Sequence, residues 1–326
     1  MMNPENPSTD NSGNGLGLLL GGLLLLILAV VAWRLPHLMR AIEEVDQLGP
    51  EAFKTNGFAL PDELLNDPDF LRWGAPGQII AVDLPETWGQ DKVEELSKNF
   101  RKRFLVSSSE VVGITFGDQS RAYPLRLLQW HEVVNDVVGG KPICVVYHPL
   151  SETIAVFERT VNAPGETPPL LGNSGLVLDC CLLINDRLGQ GMRTQESLWS
   201  PLDGSALTGP RKGEALKFLP FTLTTWENWL ETAPDTDVMA MLESHRNYYK
   251  KEPYLPYRQR DLPKYPYSPK APAGPKNLQR VVISGNGSER LGVLTDDLQK
   301  TYSSESPFLI SSWFATHARE IPVEGP

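Results

Sequence analysis

Ten side chains carry the chemistry open to this sequence: Arg121, His131, Glu132, Asn135, Asp136, His148, Ser151, Arg159, Glu196 and Trp199. Eight of them fall within Arg121–Arg159. Imidazole and carboxylate groups ligate zinc-like ions, so His131, Glu132, Asp136 and His148 could build a His/carboxylate metal site. Neighbouring residues on a helix diverge by about 100°, which sets His131 and Glu132 against gripping one ion. The plainer alternative is two histidines, His131 and His148, hydrogen-bonded in a packed junction. Ser151 with either histidine and an acid can be written as a nucleophilic triad, but no G-x-S-x-G turn presents a serine. Glu132 and Glu196 can be written as an acid/base pair, although sequence fixes no separation between them. Arg121, Arg126 and Arg159 offer guanidinium forks for a carboxylate or phosphate ligand, and Arg121 and Arg159 could instead form internal ion pairs with Glu132 or Asp136. Trp199, Trp226 and Trp229 suit a pocket lining or a core. Phosphate loops and dinucleotide fingerprints are absent.

Positioning these groups falls to a short series of elements. Pro124 suits a first helical position and Gly139-Gly140 a helix C-cap. Between them Leu127, Trp130, Val133, Val134, Val137 and Val138 recur at three- and four-residue spacing, which predicts one apolar helix face. His131, Glu132, Asn135 and Asp136 then share the opposite face. Ile143–Tyr147 and Thr153–Phe157 read as strands, with His148–Glu152 at the mouth of the pair. A polar helix face opposite a polar turn is the predicted site. Upstream, Val111–Phe116 and Gln119–Tyr123 flank Gly117-Asp118 as a hairpin.

The motifs Arg121-Ala122-Tyr123-Pro124-Leu125, Trp130-His131-Glu132, Val134-Asn135-Asp136, Gly139-Gly140-Lys141-Pro142 and Tyr147-His148-Pro149-Leu150-Ser151 occur in that order. Together they resemble the DUF3179 domain, an uncharacterised family, over Gln78–Tyr257. Gly175-Leu176, Glu196–Ser200 and Leu223–Trp226 resemble further segments of it. The resemblance implies a domain and no reaction. In the family pattern two cysteines follow the tyrosine, a Cys-x-x-Cys suited to soft metals or thiol redox chemistry. Here His148 and Ser151 stand in their places, so thiol chemistry is lost at that point.

Thirty basic and forty acidic residues give a formal net charge of −10. An acidic chain without a basic block argues against nucleic acid as a main partner. Three cysteines, two of them adjacent at Cys180-Cys181, do not form a disulfide framework and read as buried thiols. No cofactor is identifiable.

Residues 1–14 are polar and predicted to be disordered. Gly15–Trp33 is an uncharged run of 19 residues, long enough for one bilayer-spanning helix. No basic residue precedes it and no small-x-small cleavage site follows, which argues against a signal peptide. Arg34 and Arg40 beyond it lean the soluble part towards the cytoplasm, whereas the family resemblance leans it outside. Residues 34–77 read as a juxtamembrane helical linker, 78–245 as the core domain and 246–276 as a proline- and tyrosine-rich strap. Residues 277–326 read as a strand-rich tail packing on the core. Pro263, Pro266, Pro269, Pro272 and Pro275 match the polyproline II period, which suits either a protein partner or a strap lying on its own domain. Leu176–Ile184 reads as one buried strand, and Thr224 with Glu227 as a capping box.

The expected fold is therefore α+β: a mixed domain rich in short antiparallel strands with a few helices, preceded by one transmembrane helix. The first functional expectation is a membrane-anchored, small-ligand-binding domain. The alternatives are a metal-dependent or redox enzyme using His131 and His148, and a scaffold acting through Pro263–Pro275.

Overall fold

Lys141–His148 is apolar on both faces, because the sheet it runs through is covered twice. Ile143, Val145 and Tyr147 belong to one hydrophobic cluster, and Cys144 and Val146 to another. A strand buried on both sides shows no apolar/polar alternation, which is why ICVVY reads as a continuous run. The computed structural model describes residues 53–98, 104–159, 167–189, 192–260, 275–276, 278–285, 291–294, 301–304, 306–318 and 321–324, with Leu23 and Val30. The chain divides into two compact units, Met1–Phe53 and Lys54–Pro326, and the fold described is that of the second.

Its centre is a nine-stranded sheet that includes, in spatial order, Arg280–Ser284, Phe308–Ser312, Thr153–Glu158, Lys141–His148, Val133–Val138 and Val82–Asp83. A six-stranded sheet containing Glu110–Phe116, Gln119–Pro124 and Thr222–Thr225 contributes to the first cluster. A four-stranded sheet containing Leu171–Leu178 and Cys181–Asp186 contributes to the second. Most pairings are antiparallel, the strands are short and the helices few, so the mixed fold expected from the sequence is the one observed. C-terminal strands sit inside the central sheet, with Phe308–Ser312 between Arg280–Ser284 and Thr153–Glu158.

The central helix needs correction. It covers only Leu125–His131, and Val133–Val138 is a strand paired antiparallel with Lys141–His148. Glu132 makes the break, with a left-handed φ of 59°. Gly139 and Gly140, at φ 55° and 74°, close a two-residue hairpin instead of capping a helix. A Cβ on Gly139 would lie 2.2 Å from the Phe116 carbonyl oxygen, so only glycine fits there. Four β-branched valines suit the strand better than the helix. The polar helix face is thereby dismantled, since Asn135 and Asp136 now point to opposite faces.

Other expectations shift locally. The segment read as one strand over Leu176–Ile184 is two, joined by Asp179 and Cys180 at φ 50° and 62°. The cap of Trp226–Thr232 is Thr225, whose hydroxyl accepts from the Asn228 N–H, and not Thr224. Leu71–Arg72, placed in the helical linker by sequence, is a strand on Leu171–Leu178. The predicted membrane span 15–33 lies outside the described residues apart from Leu23 and Val30, which are helical. No helix among the described residues is long and apolar enough to cross a membrane. Of the strap's prolines, Pro263, Pro266, Pro269 and Pro272 lie outside the described residues, while Pro256 sits in a short helix, Leu255–Arg260.

Candidate functional site

Burial dominates the electrostatics of the predicted site, because each of its polar side chains sits inside one of the layers. Asp136 faces the six-stranded sheet. Its carboxylate accepts from the Arg121 guanidinium at 2.7 and 2.8 Å and from the Tyr123 hydroxyl at 2.6 Å. Arg121 thus has the internal ion pair anticipated for it. Arg159 does not pair with an acid in this way: it donates to the carbonyls of Ile143, Pro169 and Asp136 at 2.7, 3.0 and 3.1 Å. Asn135, on the other face, donates to Asp83 and to the Leu171 carbonyl, both at 2.8 Å, and accepts from the Leu171 N–H at 2.9 Å. It clips the central sheet to the four-stranded one.

The two histidines do not converge. His131 Nδ1 lies 2.8 Å from the Ile80 carbonyl, so this nitrogen carries the proton. Nε2 then accepts from the Tyr249 hydroxyl at 2.5 Å. With both nitrogens engaged, His131 has no lone pair free for a metal. Burial pulls its pKa down to about 4, against the Ile80 bond, and pulls that of His148 down to about 3. His148 Nδ1 lies 2.8 Å from Ser151 Oγ, which begins a buried hydroxyl chain through Thr153 to Ser311 at 2.8 and 3.0 Å. The positions of the two family cysteines are therefore bridged by an imidazole–hydroxyl hydrogen bond. No group of three or more His, Cys, Asp or Glu suited to a metal ion occurs among the described residues. All three cysteines are buried.

Glu196 and Trp199 lie away from this cluster in role. Glu196 accepts from the Asn185 amide and the Leu188 N–H, both at 2.8 Å, and so fastens a turn. Trp199 is core between the sheets.

Glu132 is the exception. Its left-handed backbone turns the chain from helix to strand, while its N–H still reaches the Leu128 carbonyl at 2.7 Å and its carbonyl accepts from the Tyr147 N–H at 2.8 Å. A non-glycine residue held there stores strain of about 1–3 kcal/mol. Its carboxyl is buried against Leu171–Leu178, where the Asn173 amide donates to Oε2. Asn173 is itself oriented, since its Oδ1 accepts from the Gly175 N–H at 2.8 Å. Glu132 Oε1 has no partner among the described residues. Burial pushes the Glu132 pKa up to about 8, with the Asn173 bond opposing it. The half-buried Tyr254 phenol senses this carboxyl: burial first and Glu132 second raise its pKa.

Several contributors escape sequence reading. Asn173 joins Glu132 from a distant segment. Glu152, at φ 51°, accepts from Arg280 at 2.9 Å, Tyr147 at 3.2 Å and Arg258 at 3.4 Å, and Arg280 also holds Glu110. A positive-φ acid in a turn carries no mark in composition, and its arginine partners lie more than 100 positions away.

No curated protein and no solved structure matches the chain. The family described as a protein of unknown function, DUF3179, matches residues 89–318. That match begins later than the resemblance over Gln78–Tyr257 and ends well beyond it, taking in strands that complete the central sheet. Covering most of the sequence, it shows that the chain belongs to the DUF3179 family.

Proposed function

We propose that this protein is a small-ligand-binding domain that takes its ligand at Glu132, Asn173 and Tyr254. One contrast carries the reading. Asp136 and Glu152 each hold arginine, and Glu196 has a donor on each oxygen. Among the described residues, Glu132 alone in that set keeps an unpartnered oxygen and no cation. A carboxyl oxygen that no protein donor fills keeps its lone pairs for a ligand group. Such convergence of a few oriented polar groups in apolar surroundings is how small-ligand sites are built.

The test is a thermal-shift screen of a polar small-molecule library on the full chain in detergent micelles. Binders are expected to lose at least about tenfold in affinity on Glu132→Ala, the equivalent of one lost hydrogen bond. They should be unchanged on Lys92→Ala, a surface residue paired with Glu95. Binders indifferent to Glu132→Ala, or a screen without binders, would overturn the proposal.

We further propose that residues 15–33 tether the domain to a bilayer, on the strength of their uncharged apolar composition and length. The full chain should stay with membranes through alkaline carbonate extraction, and a chain lacking residues 1–33 should be released. Release of both would refute the tether.

A further inference from the structure

We infer that the edge built by residues 71–84, with Val137, Leu170 and Leu188 beside it, docks on the surface of the bilayer that holds the chain. This rests on the reading of residues 15–33 as a membrane tether and adds the face that the domain turns to the lipid.

One segment forms the edge of two sheets. Leu71–Arg72 is the outermost strand of the four-stranded sheet, and Val82–Asp83 is the outermost strand of the nine-stranded one. Between them the segment follows Leu171–Leu178, where the N–H groups of Trp73 and Gly77 donate to the carbonyls of Gly175 and Asn173 at 2.8 and 3.1 Å. Past the second strand, the Leu84 N–H donates to the Asn135 carbonyl at 2.7 Å. The partly exposed Asp83–Arg187 ion pair is the hub of this end. The Arg187 N–H donates to the Leu170 carbonyl at 2.8 Å, Leu188 follows Arg187, and Val137 lies two residues beyond Asn135 on its strand.

This edge is apolar where it meets water. Trp73, Ile80, Leu84, Val137, Leu170 and Leu188 are all exposed. One exposed leucine is ordinary, but a series of them along a single edge marks a contact surface. Leu84 adds a second observation. It is 62% exposed and holds a left-handed φ of 46°. That conformation is strained for a bulky side chain, and strain of this kind gathers at functional positions. The fold gains no burial from Leu84 in return, so the turn serves to present the side chain outward.

The chemistry of the edge selects lipid as its occupant. Each strand is two residues long, and Pro76, Gly77 and Pro85 interrupt the segment, so there is no run of backbone on which a second copy or a peptide could add a strand. Contact is left to the side chains. A tryptophan, branched aliphatics and an arginine whose stem can lie along apolar surface make the composition of a membrane–water interface. Reach is no obstacle. The 19 residues 34–52 join the tether to the described fold and extend to at most about 70 Å. Held that close, an edge of low intrinsic affinity is kept on the bilayer by effective concentration alone.

The experiment places an environment-sensitive fluorophore on the full chain through Leu84→Cys, Leu188→Cys or Val293→Cys. Val293 is 49% exposed and lies in Leu291–Leu294, next to the opposite edge of the nine-stranded sheet, so it is the control. The native cysteines are buried, and the parent chain taken through the same labelling sets the background. Each chain is reconstituted in phosphatidylcholine nanodiscs with or without lipid carrying a doxyl quencher near the headgroup end of its acyl chain. The Leu84→Cys and Leu188→Cys probes are expected to shift to shorter wavelength and to lose fluorescence to the doxyl lipid, equally at low and high salt because the contact is apolar. The Val293→Cys probe should do neither. Leu188→Cys decides the matter if the left-handed Leu84 position does not accept substitution. Unquenched probes on chains that co-purify with the discs would overturn the docking and leave the tether standing. A blue shift at Leu84→Cys without doxyl quenching would mean that protein covers the edge, and would overturn it too. Quenching at Val293→Cys as strong as at the other two would remove the assignment of a face. A chain that does not enter the disc fraction would sink tether and docking together.

Discussion

Asp136→Ala is expected to destabilise the protein by about 3–5 kcal/mol, the range for breaking a buried ion pair by removing one partner. The aspartate is nearly inaccessible, and it holds both the Arg121 guanidinium and the Tyr123 hydroxyl from the neighbouring sheet. Deleting it leaves a buried guanidinium and a buried phenol without this acceptor. Arg121 has an alternative in Asp237 at 3.8 Å, but that carboxylate is more exposed and cannot serve Tyr123 as well. Asp136→Asn should fall between the two, at roughly 1–3 kcal/mol, because one oxygen still accepts while the charge is gone. Urea unfolding at pH 7 measures both. A loss below about 1 kcal/mol for the alanine variant would mean that this pair does not fasten the two sheets.

The same residue shows how far the sequence could be read. Asp136 was visible as a buried-pair partner for Arg121, because both lie in one dense stretch of reactive side chains. Its element was misread. A strand covered on both faces loses its two-residue alternation, and Val133, Val134, Val137 and Val138 fit a helical stripe equally well. The glycine pair that follows serves as a helix cap in one reading and as a hairpin in the other. Ile143–Tyr147 and Thr153–Phe157 were legible because a proline, a glycine pair and a polar turn bound them. The turn at Asp179-Cys180 was not, since nothing in an aspartate followed by a cysteine announces two left-handed residues.

The candidate site divides the same way. Glu132, His148 and Ser151 were singled out by type and spacing, but what they do depends on residues remote in sequence. Asn173 lies 41 positions from Glu132, and Ser311 lies 158 from Thr153. Contacts of that separation are set by sheet order, which local pattern does not encode. The metal reading of His131 finds no support among the described residues, for a related reason. Its two nitrogens are claimed by Ile80 and Tyr249, neither of which has a motif to mark it.

Glu132→Gln is expected to stabilise the folded protein at neutral and mildly alkaline pH, with a gain that disappears in acid. Burial raises the Glu132 pKa from 4.5 to about 8, so between these values the unfolded chain has lost this proton and the folded chain has kept it. The folded state then binds more protons than the unfolded state, and stability falls as pH rises through that window. The accumulated penalty is zero below pH 4.5 and reaches about 2–4 kcal/mol near pH 8, after allowing for partial relaxation. Glutamine does not titrate, and its carbonyl can still accept from Asn173. The difference in unfolding free energy between variant and parent should therefore grow with pH from 4.5 to 8 and then level off. His148 supplies the mirror image. Its pKa falls from 6.5 to about 3, so its contribution is intact above 6.5 and is lost as pH drops below that value. A His148→Asn variant should differ from the parent by a constant amount above pH 6.5, with the gap shifting in the variant's favour as pH falls. A flat Glu132→Gln difference across pH 4 to 8 would show that the carboxyl is already ionised or solvated in the fold, which would remove the basis for ligand recognition there. A rising difference would mean that the fold tolerates a buried acid that glutamine could replace to advantage. That is the trade expected where a side chain is held for binding and not for stability.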